Sequence, residues 1–115
     1  MKNIFLLVFV FSFYSLSSQD KIAYEKEKFK VWGNCSMCKN LIEKTANFEN
    51  GVKSAKWNMN TGKLKIKFNS KITSLNIIKE AIAKVGYDTD THKATDESYN
   101  NLHFCCKYER EILKN

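Results

Sequence analysis

Phe29-Lys30-Val31-Trp32-Gly33-Asn34-Cys35-Ser36-Met37-Cys38-Lys39-Asn40-Leu41-Ile42 is the stretch that decides what this chain becomes. Phe29 and Val31 alternate with Lys28, Lys30 and Trp32 at the period of two that marks a half-buried strand. Gly33-Asn34 is a turn signal with a usable helix cap, and beyond it Cys38, Leu41, Ile42, Thr45 and Phe48 fall close to one helical face. A strand therefore feeds a helix through a loop that carries two thiols three positions apart.

Asn50-Gly51 ends that helix, and two strands follow. Ala55 and Trp57 alternate with polar residues, then Leu64, Ile66 and Phe68 alternate with Lys63, Lys65 and Lys67, with Asn58 to Gly62 as the hairpin connection. A second helix is expected from Thr73 or Ser74, burying Leu75, Ile78, Ile82 and Val85 and stopping at Gly86. Tyr87 and Thr89 suggest a short closing strand. The order strand, helix, strand, strand, helix, strand predicts an α+β, ferredoxin-like βαββαβ sandwich: two helices on one face of a four-stranded antiparallel sheet. The opposite face takes the alternating lysines.

The ends of the chain read differently. Residues 1–19 run from Lys2 through the apolar stretch Ile4 to Tyr14 into Ser15-Leu16-Ser17-Ser18-Gln19, the order of a secretory signal peptide. At about 11 residues the apolar run falls short of the roughly 20 that span a bilayer, so no membrane span is expected after signal removal and the product is expected to be periplasmic or secreted. Residues 20–27 read as a charged linker, 28–90 as the domain, and 91–115 as a C-terminal extension carrying Cys105-Cys106, with a terminal helix from Leu102 to Leu113 as its weakest element.

The net charge of +7 comes from lysines spread along 115 residues, and no nucleic-acid-binding motif accompanies them, so a solvated surface explains them and nucleic acid is not an expected partner. No defensible Ser-His-Asp order, phosphate-cradling glycine loop or carboxylate pair is present, so the chain is not read as an enzyme. Four cysteines in an exported protein are by default two disulfides, and any metal reading competes with that default. A thioredoxin-like redox protein would also place C-x-x-C after a strand, but that family sets a cis-proline beside its cysteines and this chain has no proline.

Two thiols on a loop and a first helical turn converge on one ion, and thiolates are the ligands of soft cations. A helix start lowers a cysteine's pKa and favours the thiolate. Two sulfurs suit the low coordination number of Cu(I), whereas structural Zn(II) wants four ligands; Hg(II) and Cd(II) also accept thiolates. Cys35 and Cys38 are thus the primary candidate ligands. His103, Cys105 and Cys106 are further candidates: they complete the same site if the tail folds back, pair with the first cysteines in disulfides, or form a separate thiol site. Met37 offers a thioether, although a solvent-facing spacer is the simpler reading, and His92 reads as exposed.

From Val31 to Tyr87, about half of the chain, the sequence resembles a heavy-metal-associated domain. That family includes copper chaperones, the N-terminal modules of copper-pumping ATPases and the periplasmic mercury-binding protein. The matching stretches are Phe29-Lys30-Val31, Cys35 and Cys38 with Lys39 after them, Gly51-Val52 with Ala55, Asn60 to Leu64, and Ala81-Ile82 leading to Val85-Gly86-Tyr87. The resemblance implies the ferredoxin-like fold, metal held by Cys35 and Cys38, Tyr87 near the metal, and transfer by ligand exchange to a metal exporter or metalloprotein. One departure stands out: Gly33-Asn34 replaces the Gly-Met-Thr or Gly-Met-His that the family writes before its first cysteine, removing the methionine that props the loop.

Overall fold

The computed structural model describes residues 22–111, so the signal-peptide reading of residues 1–19 lies outside the described residues. Strand β1 (Glu25–Lys30) leads to helix α1 (Ser36–Phe48), strands β2 (Val52–Trp57) and β3 (Lys63–Phe68), and helix α2 (Leu75–Lys84). A five-residue helix α3 (Asp96–Asn100) and a 3-10 turn (Phe104–Cys106) follow. The strands form an antiparallel sheet in the order β1-β3-β2.

Alternation does what the pattern predicts. Leu64, Ile66 and Phe68 of β3 are buried under the helices, alongside Ala55 and Trp57 of β2 and Phe29 of β1. Ile42 and Ala46 of α1 and Ile78 and Ile82 of α2 close the core from above; each large aliphatic side chain so buried contributes about 1.5–3 kcal/mol. Lysines occupy the other face, and the register sets Lys26 opposite Lys67, Lys28 opposite Lys65, and Lys56 opposite Lys65. The β2–β3 hairpin is built by Asn58, whose side-chain oxygen accepts from the backbone N–H groups of Asn60 and Thr61 at 2.8 and 3.1 Å. Gly62 follows with φ of 75°, a left-handed conformation that glycine adopts without strain.

Four expectations need correction. First, β1 begins at Glu25, inside the span 20–27 read as a linker: pairing with β3 from Glu25↔Phe68 onward supplies the order that apolar rhythm does not. Second, the fourth strand shrinks to a single bridge, Val31↔Thr89. The chain turns away at once, because the Thr89 N–H bonds to the His92 carbonyl at 2.7 Å and the His92 N–H returns to the Thr89 hydroxyl at 2.9 Å.

Third, α1 turns its Cys38, Ile42 and Ala46 inward and leaves Phe48 86% exposed, since Phe48 continues the half-buried row of Leu41 and Thr45 at the helix's last position. Fourth, no helix spans Leu102 to Glu111; α3 starts earlier, where the Thr95 hydroxyl accepts from the Ser98 N–H at 3.0 Å and Asp96 and Glu97 supply an acidic first turn. Helix α2 matches its expected start, with Ser74 as the cap accepting from Ile77 N–H.

The segment after Asp90 is packed into the domain. Leu102, Cys106 and Tyr108 are all buried and belong to the same core as Ile42 and Ile82. Gly86, at φ of 116°, makes that docking possible: a Cβ there would stand 2.9 Å from Leu102 and from the Ser98 carbonyl oxygen. Tyr108 stacks on Tyr87 at 5.7 Å and meets Tyr99 edge-on at 5.1 Å. Its hydroxyl accepts from Asp88 N–H at 2.9 Å and donates to the Gly86 carbonyl at 2.8 Å.

Candidate metal centre

Cys35 occupies the N-cap of α1 and Cys38 its first turn, so the two sulfurs face one another 3.6 Å apart. Asn34 is not the cap; its side-chain oxygen accepts the Cys38 S–H at 3.0 Å. Behind the loop stands Trp57, whose indole N–H is shared by the carbonyls of Val31 and Gly62 at 3.1 Å each. Gly33 lies against the Trp57 ring, where even a Cβ would come within 3.2 Å. Asn34 and Trp57 thus support the loop in the absence of the methionine that the sequence lacks.

The docked tail brings the other two cysteines to the same place. The sulfurs of Cys35, Cys105 and Cys106 lie within 4.8 Å of one another. Cys35 Sγ also sits 3.5 Å from the Cys105 carbonyl, and Cys38 Sγ 3.8 Å from that of Cys106. Two donors on one ion with bonds near 2.3 Å lie at most about 4.6 Å apart, and three in a trigonal plane about 4.0 Å apart. The Cys35–Cys38 pair is already inside that limit, and the three-sulfur group needs to contract by less than about 1 Å. All four cysteines are free thiols.

The thiols differ in their readiness to ionise. Cys35 is held below the ordinary thiol value: burial works against it but is outweighed by the Cys38 N–H, the Cys38 thiol and the Met37 N–H of the first helical turn. Burial pushes Cys106 up to about 12, helped by the neighbouring Cys38 and Cys35. The centre therefore pairs one thiol poised as an anion with one that stays protonated until something displaces its proton.

Tyr87 is fully buried, and its hydroxyl has no hydrogen-bond partner. Burial raises its pKa first, and Cys38 and Cys106 raise it further, so it remains a neutral donor beside these sulfurs. Buried hydroxyls without partners are uncommon; this one is available to whichever sulfur carries charge. His103 is exposed, with Nδ1 3.3 Å from Cys105 Sγ. Met37 is exposed, 46% of its surface open, and its sulfur stands 3.3 Å from the same Cys105 Sγ.

Lys39 follows the cysteines in sequence but turns elsewhere, donating to Glu43 at 2.6 Å and to the Trp57 carbonyl at 3.1 Å. Glu43 in turn accepts the Trp57 N–H at 2.8 Å. Burial raises the Glu43 pKa, but the Lys39 and Trp57 contacts outweigh it and hold the carboxyl below its ordinary value. His92 is half-buried and shapes the turn after Thr89.

What sequence reasoning did not find is the clamp that brings the tail home. Arg110 reaches both oxygens of Asp88, the Asp96 carboxylate and the Ala94 carbonyl, at distances between 2.7 and 3.0 Å. Its guanidinium also lies 4.8 Å from the Tyr99 ring centroid. An isolated Asp after a tyrosine and an isolated Arg near the end of the sequence carry no signal that they pair.

Residues 34–88 match the heavy-metal-associated domain family. The chain is 35% identical over 60 residues to the copper chaperone CopZ of Staphylococcus epidermidis, covering 51% of this chain and 88% of that protein. It is 29% identical over 93 residues, 80% of its length, to a copper-exporting P-type ATPase of the same species, but spans only 12% of the ATPase. Among solved structures, a CopZ metallochaperone superposes with a TM-score of 0.55 at 30% identity, covering 56% of this chain and 98% of the other.

Proposed function

Because this chain belongs to the heavy-metal-associated domain family, we propose that it is an exported carrier or scavenger of Cu(I), working in the periplasm or outside the cell. The observation that carries this reading is the pair of sulfurs at 3.6 Å, Cys35 and Cys38, on the first turn of a helix whose amide groups favour the thiolate of Cys35. The copper chaperone and the copper-exporting ATPase among its relatives favour copper as the cargo. Zn(II), Hg(II) and Cd(II) are the competing cargoes for a thiolate set.

In this reading Cys35 and Cys38 bind the ion as a bent bis-thiolate, and each proton displaced from sulfur leaves to solvent. The tail thiols of Cys105 and Cys106 add to the coordination from above, and the Tyr87 hydroxyl donates to the sulfur left with excess charge. Delivery goes to a metal exporter or metalloprotein whose thiolate adds as a further ligand before one of this chain's sulfurs lets go. No bond to carbon is made or broken, so the role is carriage, not catalysis.

The test is a titration of reduced protein with Cu(I) against a chromogenic chelator, run beside Cys35→Ser and Cys38→Ser. Each substitution is expected to weaken binding by at least about a hundredfold, the loss of one of two principal soft ligands. Affinity unaltered by either change ends the reading. Insulin reduction by the untouched protein would move the assignment to thiol–disulfide exchange.

A further inference from the structure

Resting on the reading that these thiols hold a soft cation, we propose that Met37, His103 and Cys105 form a second, outer site for Cu(I), which shares the Cys105 sulfur with the inner thiols. Met37 Sδ and His103 Nδ1 each stand 3.3 Å from Cys105 Sγ. Both spacings lie inside the limit of about 4.6 Å for two donors on one ion. On its other side Cys105 belongs to the three-sulfur group with Cys35 and Cys106. One sulfur thus faces two sets of donors, and the two sets differ in chemistry and in exposure.

The outer set is a thioether, an imidazole and one thiolate. It carries one negative charge, so a bound monovalent ion leaves it neutral, and its two uncharged donors exchange readily. Met37 and His103 are open to solvent, and both line a groove of about 420 Å³ that reaches Cys106. The inner set offers thiolates only, buried or half-buried, and outcompetes the outer set for a soft ion. The Cys105 proton leaves to solvent when the outer site first takes its ion, and that ion then moves inward by substitution at constant oxidation state: its bond to Cys105 is kept, bonds to Met37 Sδ and His103 Nδ1 break, bonds to the Cys35 sulfur and to its neighbours Cys38 and Cys106 form, and any proton still on those sulfurs passes to solvent. The Cys105 thiolate then bridges, holding the inner ion on one lone pair while it takes a second ion with Met37 and His103 on another.

Met37 falls between the two cysteines of the loop, and the N-cap of the 3-10 turn is His103, whose ring leans on Phe104 at 4.8 Å. Met37 reaches the Cys105 sulfur from 68 residues away on helix α1, while His103 reaches it from two residues away on the same turn.

The experiment uses Ag(I), a redox-inert stand-in for Cu(I), with reduced protein followed by native mass spectrometry and by the imidazole nitrogen resonances of His103. The expected result is two ions per chain, with the His103 Nδ1 signal shifting during the second half of the titration, and one ion in the Met37→Leu, His103→Gln double variant. Saturation at one ion that Cys35→Ser and Cys38→Ser abolish, with His103 undisturbed, overturns the outer site and leaves the inner one standing. Failure to bind any ion overturns both.

Discussion

Arg110 and Asp88, 22 positions apart in sequence, are joined by two hydrogen bonds of 2.9 and 2.8 Å, and Asp88 is buried while doing so. Asp88 also accepts the Ala94 N–H at 2.7 Å. The pair fixes the tail against the end of the core, and the cysteines just before Arg110 are held over the loop by it.

Arg110→Ala leaves a buried carboxylate with one partner in place of several. Breaking such a pair costs about 3–5 kcal/mol, and the guanidinium, 21% exposed, puts this case at about 3 kcal/mol. Denaturant titration reads the loss. Thiol labelling reads its location: Cys106, 3% exposed in the docked tail, becomes reactive. A labelling rate equal to that of the parent protein contradicts the clamp.

Acid tests the same pair. Burial raises the Asp88 carboxyl, but Arg110 and the Ala94 N–H outweigh it and hold its folded pKa below the ordinary value of about 3.9. A depressed folded pKa means that the stabilisation is complete above about pH 4 and is lost as pH falls through the folded value. Tail release, followed by Cys106 labelling with a disulfide reagent active in acid, is therefore expected below about pH 4. Asp88→Asn should flatten that pH dependence.

The two kinds of thiol should alkylate in a fixed order. Cys35, part-exposed and with a lowered pKa, reacts with iodoacetamide near neutral pH; Cys106, buried and pushed up to about 12, does not. Peptide mapping after timed quenching checks it, and equal rates at pH 7 refute the asymmetry.

Tyr87→Phe separates packing from chemistry. The parent hydroxyl is buried without a partner, a situation that costs about 1–3 kcal/mol, so the metal-free variant should be as stable as the parent or more so. Its grip on Cu(I) should weaken roughly tenfold, or about 1.4 kcal/mol, the scale of one hydrogen bond to a charged acceptor. Thermal melts and the chelator competition give the two halves. Loss of stability in the metal-free state argues for a packing role alone.

Much of this molecule is legible along its sequence because the signals are local. Leu64, Ile66 and Phe68 declare a strand by alternation, Ser74 a helix start by its cap, and Cys35 with Cys38 a pair of converging sulfurs by spacing. The fourth strand fails because Thr89 looks like any β-branched strand residue until its N–H is seen turning to the His92 carbonyl. Phe48 misleads because it continues the half-buried row of Leu41 and Thr45, not the buried row of Cys38, Ile42 and Ala46. The tail carries the least local signal: Tyr108 stacks on Tyr87 and meets Tyr99 edge-on, and Asp88 meets Arg110, through contacts whose partners share no sequence period. The sequence marks His103 and Met37 as donors, but only the fold gives them a common neighbour.

The four sulfurs come from two short segments, with Cys35 and Cys105 70 positions apart. An unfolded polypeptide owns all the same cysteines and none of the cage, and it would capture soft ions in mismatched combinations. Order among the ligands is thus acquired at the moment the terminus swings home. A cell that wants the right ion in the right cradle must let this chain finish folding before the metal arrives.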